Sequence, residues 1–289
     1  MNKLLSILVI ALAMPVCMFA QEAGAESEVQ QFSGVDGVAK KEHISNKSGI
    51  PYVHVREADI LWSKTIWRMI DLRERINLPM YYPTHSVDGR RSLIDVIVDG
   101  IEMGELVPYT ATPGEDEFVM RMDTESVRAK LGAGVDTIEV QNPETNMMEK
   151  QVVISEMKTD EVKKYLLKEV WFFDKKYSRM DVRIVGICPI RDYEPDPGKY
   201  RTELMFWVYF PELRPLLAKN EVYNTRNDAQ RDSYDDLFAK RRFGSYVYQE
   251  ANVYNNRAIS EYAAGMDQML EAQRIKEQLF TKEHDMWEY

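Results

Sequence analysis

Hydrophobic and polar positions alternate in more than one rhythm along this chain. From Asp59 to Asn77, the residues Trp62, Ile66, Met69, Ile70 and Ile76 fall at helical spacing, with Arg68, Arg73 and Arg75 mostly beside that stripe. Asp59 reads as an N-cap and Pro79 as a stop, so the spacing predicts a helix there. A second helix is predicted over Ser92 to Met103, with Leu93, Val96, Ile97 and Met103 apolar and Gly104 as its C-terminal stop. EFVMRM (117–122) alternates like a strand and TESVRAKL follows as a short helix. DTIEVQ and KQVVISEM, separated by NPETNMME, predict a hairpin with a long turn. TDEVKKYLLKEVWFF (159–173) reads as a helix capped by Thr159, burying Val162, Leu166, Val170 and Phe173. DVRIVGICPI and ELMFWVYF read as strands joined by the loop RDYEPDPGKYRT.

After Pro215 the pattern turns helical again, through the aromatic-rich RDSYDDLFAKRRFGSYVYQEANVY to a long tail from Ile259 to Trp287. Ile259, Ala263, Met266 and Leu270 form one stripe of that tail, and Ile275 and Leu279 continue it with an offset, so the stripe rotates or kinks near Gln273. The mixture lacks regular strand-helix alternation and any glycine-rich turn. It predicts an α+β fold of mixed helices and short antiparallel strands with a helical C-terminal region. The expected division is a signal peptide at 1–20, a flexible leader at 21–50, an α+β core at 51–218 and the helical region at 219–289.

Composition adds constraints. The chain has 289 residues, 45% hydrophobic and 29% charged, enough for a sizeable core. Its net charge of -10 argues against a broad nucleic-acid-binding surface. The run Lys240, Arg241, Arg242 is the one candidate basic patch, and it reads first as a solvated helix face or end. The start, MNKLLSILVIALAMPVCMFAQEAG, has a lysine before an apolar run too short to span a bilayer, with Ala20 before a cut. Val16 is too large for the position before a lipidated Cys17, so simple cleavage is expected. That leaves Cys188 as a single cysteine, in the apolar run RIVGICPI, where a buried inert thiol is expected.

Chemistry is sparse. None of the four histidines sits in a zinc spacing, and the elbow, phosphate-loop and dinucleotide glycine motifs are missing. His284, flanked by acids, reads as helix-surface polarity. The clusters Asp232, Asp235, Asp236 and Asp192, Glu194, Asp196 could be invoked as paired carboxylates. Among 47 acidic residues they read more simply as caps and loop charges. No catalytic residue, cofactor or metal is therefore expected. Trp62, Ile66, Met69 and Ile70 read as one buried helix face. Trp67, Arg68, Arg75, Tyr81 and Tyr82 lie off that face and are the candidate partner-binding residues, being of the types that anchor protein interfaces.

Three long segments carry a resemblance: READILWSKTIWRMIDLRERINLPMYYP, SYDDLFAKRRFGSYVYQEANVYNNR (233–257) and ISEYAAGMDQMLEAQRIKEQLFTKEHDMWEY. They resemble the gliding-motility/type IX secretion protein N family (GldN, also called PorN) of Bacteroidetes. The resemblance implies a periplasmic, non-enzymatic subunit that forms a ring with an outer-membrane lipoprotein, the K component, under the outer membrane. It also implies contact with the periplasmic part of the inner-membrane motor complex, and a role in exporting proteins across the outer membrane. Peptidoglycan is a further contact such a ring could make. The rival reading is a periplasmic protein that binds or hydrolyses cell wall, with Trp62, Tyr81 and Tyr82 as an aromatic platform.

Overall fold

The computed structural model describes residues 46–286, apart from 88, 113–115, 142–147, 197, 226 and 228. The expected signal peptide and nearly all of the expected leader lie outside the described residues. Eleven strands are described: β1 (Ile60–Asp71), β2 (Pro108–Thr110), β3 (Gly134–Gln141), β4 (Met148–Ser155), β5 (Val162–Asp174), β6 (Arg179–Asp196), β7 (Lys199–Leu204), β8 (Phe206–Tyr209), β9 (Glu221–Val222), β10 (Asp232–Ser233) and β11 (Tyr246–Glu250). The helices are α1 (Leu78–Tyr81), α2 (Leu93–Glu102), α3 (Thr124–Lys130), α4 (Phe210–Lys219), α5 (Tyr234–Ala239) and α6 (Met266–Asp285). The class is the expected α+β.

One antiparallel sheet dominates, in the order β11-β1-β5-β6-β8-β2, with β7 also paired to β6. β1 runs beside β5 from Ile60 opposite Asp174 to Asp71 opposite Lys164. β5 turns back into β6, whose middle pairs with β8 at Gly186 and Ile187 and whose end pairs with β7. β3 and β4 pair antiparallel, as expected, in a separate two-stranded sheet, and the expected long turn between them lies outside the described residues.

Two predicted helices are strands. Residues 60–71 form β1 rather than the first half of a helix from Asp59 to Asn77, and residues 162–174 form β5. The reason is a degeneracy of spacing. Trp62, Ile66 and Ile70 are four apart, which places them together on a helix and equally on one face of a strand. The other face is covered as well, so burial runs unbroken from Ile66 to Ile70 and no alternation survives in the sequence. In β5, register shifts at Val162/Lys164 and Lys168/Glu169 scramble the alternation further. The β-branched and aromatic content of ILWSKTIW and VWFF was the usable strand signal.

Where capping chemistry is local, expectation and structure agree. Ser92 Oγ accepts the Asp95 N–H at 3.2 Å and starts α2, and Gly104 leaves it at φ 74°. α3 stands where TESVRAKL was expected. Two other expectations change. The stretch 117–122 is no strand, being turned at Phe118 (φ 67°) and paired to β2 through a single bridge between Arg121 and Tyr109. The expected loop RDYEPDPGKYRT is extended chain, because β6 continues to Asp196 and returns as β7.

The sheet is packed on both faces. On one, α2, α4 and α5 bring Leu93, Ile97, Phe210, Leu213, Leu217 and Tyr234 onto Ile70, Tyr165, Leu167, Ile187 and Phe206. On the other, Trp67, Met69, Leu166, Cys188, Ile190 and Trp207 lie beneath Ala111 and Phe118. Cys188 is buried as expected, and burial pushes its thiol up to about 12.

The region after residue 218 is not uniformly helical. It supplies β9, β10 and β11, and β11 completes the main sheet beside β1, so Glu42–Tyr289 form one compact unit. α6 begins only at Met266, after Gly265 at φ 59°. Its inward residues are Ile275 and Leu279, packed on Ile66, Val247 and Ile259, whereas Met266 and Leu270 of the expected stripe are exposed.

Candidate interaction surface

The five residues singled out from the sequence part company in the structure. Trp67 and Arg68, expected on an outer helix face, sit inside the sheet at 4% and 8% exposure. Trp67 Nε1 donates to Glu117 Oε1 at 2.8 Å, and Lys168 Nζ reaches the other oxygen of that carboxylate at 2.6 Å. The same ammonium stands 5.2 Å from the indole centroid. Arg68 Nε donates to Ser245 Oγ at 3.1 Å, and burial lowers its pKa from the ordinary guanidinium value. Beside it, the fully buried Glu169 accepts from Trp171 Nε1 at 3.0 Å and from Arg241 Nη2 at 2.8 Å. A charge buried this way is held by its partners, and removing one would leave the other uncompensated.

Arg75, Tyr81 and Tyr82 remain at the surface, Arg75 on the turn between β1 and α1, Tyr81 at the end of α1 and Tyr82 just after it. Buried Asn77 fixes that turn: its Nδ2 donates to the Asp71 carbonyl at 2.7 Å and the Gly244 carbonyl at 3.0 Å. The Gly244 N–H returns to Asn77 Oδ1 at 2.9 Å. Tyr81 donates its hydroxyl to the Asp160 carbonyl at 2.9 Å and meets the Tyr82 ring edge-on, centroids 4.8 Å apart. Tyr82 is 54% exposed.

Tyr82 forms a ridge between two recesses. On one side, a cleft of about 790 Å³ opens between Tyr81 and the β6–β7 hairpin. Several of its charges are engaged: Arg73 with Asp71 at 2.6 Å, Arg191 with Glu161 at 2.6 Å, and Asp192 with Lys164 at 2.8 Å. On the other side, a groove of about 440 Å³ is walled by Leu78, Pro79, Tyr82, Pro83, Val87 and Tyr223, with Arg75 and Arg90 at its rim. Arg90 lies over the Tyr223 ring at 5.2 Å. Val87, Arg90 and Tyr223 had no mark in the sequence, because they join the site only through tertiary packing.

The other candidate clusters resolve into structural partnerships. Asp235 holds Arg214 by two bonds of 2.8 and 3.2 Å, and Asp232 pairs with Lys240 at 3.2 Å and Arg242 at 2.9 Å. Asp236 closes a capping box with Ser233 and takes an ion pair from Lys47. Lys240, Arg241 and Arg242 thus spend their charge on Asp232 and Glu169 at the end of α5. Asp192 also accepts from Thr202 Oγ1 at 2.7 Å. Among the described residues, no three His, Cys, Asp or Glu side chains are placed to hold a metal ion.

The architecture defines an α+β protein built on a long antiparallel sheet covered on both faces, with an aromatic and apolar surface exposed at one turn. Residues 55–288 match the family described as gliding motility associated protein GldN. The chain belongs to that family and is a gliding motility associated protein, consistent with a component of the type IX secretion system. No curated protein matches the chain. Among the described residues, no helix is long and apolar enough to cross a membrane.

Proposed function

We propose that this chain is a non-enzymatic structural subunit of the type IX secretion apparatus, located in the periplasm against the inner face of the outer membrane. In this reading it assembles into a ring with the outer-membrane lipoprotein of the K type and contacts the periplasmic part of the inner-membrane motor. The ring then supports export of proteins across the outer membrane. The observation that carries the reading is the family match, which spans β1 through α6. The export-type start of the sequence favours the periplasm. The exposed turn at Arg75, Tyr81 and Tyr82 is the proposed contact surface, since tyrosine and arginine on a rigid support are the usual anchors of interfaces. Trp67 and Arg68 serve that surface only from within, by holding the sheet behind it.

Crosslinking in the cell envelope, followed by purification and imaging, tests this directly. The expected result is a closed assembly of repeated copies that includes a lipoprotein. Recovery solely as a free monomer would overturn the proposal. Release of soluble fragments from purified peptidoglycan would favour a wall-cleaving enzyme instead.

A further inference from the structure

The two recesses beside Tyr82 differ in what they could hold. In the larger cleft, the lining charges Arg73, Glu161 and Asp192 are engaged by Asp71, Arg191 and Lys164 of the same chain. The smaller groove is different. Its floor and walls are apolar and conformationally stiff, being formed by two prolines, Tyr82 and Tyr223. Its volume of about 440 Å³ lies within the range of pockets that take a compact organic group. At its rim, Arg75 is exposed and has no hydrogen-bond or ion-pair partner among the described residues. Arg73, Arg91, Arg191, Arg214, Arg241 and Arg242, by contrast, are each paired to an acid.

We propose that this groove is a docking site for an extended segment of a partner protein that presents a large apolar or aromatic side chain next to a carboxylate. This deepens, and rests on, the reading of the Tyr82 surface as a partner contact. The apolar side chain enters between Tyr82, Pro83 and Tyr223, where its burial removes apolar surface on both sides from water. The carboxylate meets the guanidinium of Arg75, whose planar fork suits a two-oxygen acceptor. Arg90, stacked on Tyr223, backs that wall of the groove. The support is already ordered, because Asn77 ties the turn to Asp71 and Gly244 and the edge-on contact with Tyr81 holds Tyr82. Little conformational freedom is therefore lost on binding.

The test uses the full-length mature chain and two small probes, N-acetyl-Phe-Glu-amide and N-acetyl-Phe-Gln-amide, titrated by nuclear magnetic resonance. The acidic probe should bind about fivefold more tightly, the scale of one solvent-touched ion pair. Arg75→Ala should abolish that difference, and Tyr82→Ala should weaken both probes, with unchanged thermal unfolding in each variant because both side chains are exposed. Equal binding of the two probes, or binding indifferent to R75A and Y82A, would overturn the proposal. Self-association of the chain that Y82A abolishes, with neither probe bound, would overturn it in favour of a second copy as the occupant. The wider functional reading fails separately: probes that bind a chain never recovered with a lipoprotein keep the groove and remove the ring.

Discussion

Two tryptophan-and-tyrosine anchors of one short segment behave in opposite ways once their surroundings are known. Trp67 is buried and hydrogen-bonded to Glu117 on the sheet's inner face, whereas Tyr82 is more than half exposed. Trp67→Ala should therefore cost about 3–5 kcal/mol of stability, as large core truncations do. Tyr82→Ala should stay within about 0.5 kcal/mol. Denaturant midpoints of the two variants check this, and equal midpoints would contradict the placement of Trp67. Asp236 supplies a pH-dependent counterpart. Burial pushes its carboxyl upward, but hydrogen bonds from Lys47 and from the Ser233 backbone and hydroxyl outweigh that and hold it at about 2. Because this lies below the unfolded value of about 4, its contribution is complete above pH 4 and is lost as pH falls through 2. Because the site is open to solvent, which screens the pair, the loss is on the order of 1 kcal/mol. Acid titration of stability should show a correspondingly shallower fall in Asp236→Asn.

Among the elements, α6 shows how much a periodicity can and cannot say. It has two apolar stripes on opposite sides: Ile275 and Leu279 face the sheet, while Met266, Leu270 and Phe280 face solvent. The offset visible near Gln273 in the sequence is the change from one stripe to the other, not a kink, since α6 runs unbroken from Met266 to Asp285. Replacing Ile275 and Leu279 together by alanine should loosen the whole helix, seen as amide exchange rising along 266–285 ahead of the sheet. Met266→Ser with Phe280→Ser should leave exchange unchanged. Protection lost equally in both pairs would mean that the outer stripe is also packed. The strands show the complementary limit: a spacing of four satisfied both helix and strand in Trp62, Ile66 and Ile70, and only the neighbouring strands β5 and β11 select the extended form.

In the molecule as a whole, the last segment closes what the first one opens. β1 is central only because β11 pairs along its outer edge, through Ile66 opposite Glu250 and Met69 opposite Tyr246. An expected boundary near residue 218 therefore falls inside a single compact unit. A chain ending at residue 245 would leave β1 as an open edge and uncover Ile66, which α6 and Val247 bury. Such a fragment should elute from size-exclusion chromatography as aggregate, and a folded monodisperse monomer would refute the account. The same closure brings Gly244 onto Asn77 and so steadies the turn that carries Arg75 and Tyr82.

The sequence by itself determined whatever is decided by neighbours a few residues apart or by long matched segments. The caps of α2, the helix α3, the β3–β4 pairing, the apolar strand around Cys188 and the family all belong to this group. A cap or a hairpin turn is made of atoms close along the chain, so its chemistry is readable there. Only the tertiary structure decided that Trp67 and Arg68 lie inside, that two apolar runs are strands, and that Tyr82 shares a groove with Val87 and Tyr223. Those outcomes depend on which distant surfaces cover each face of a strand, and burial by a distant partner leaves no local mark in the order of residues.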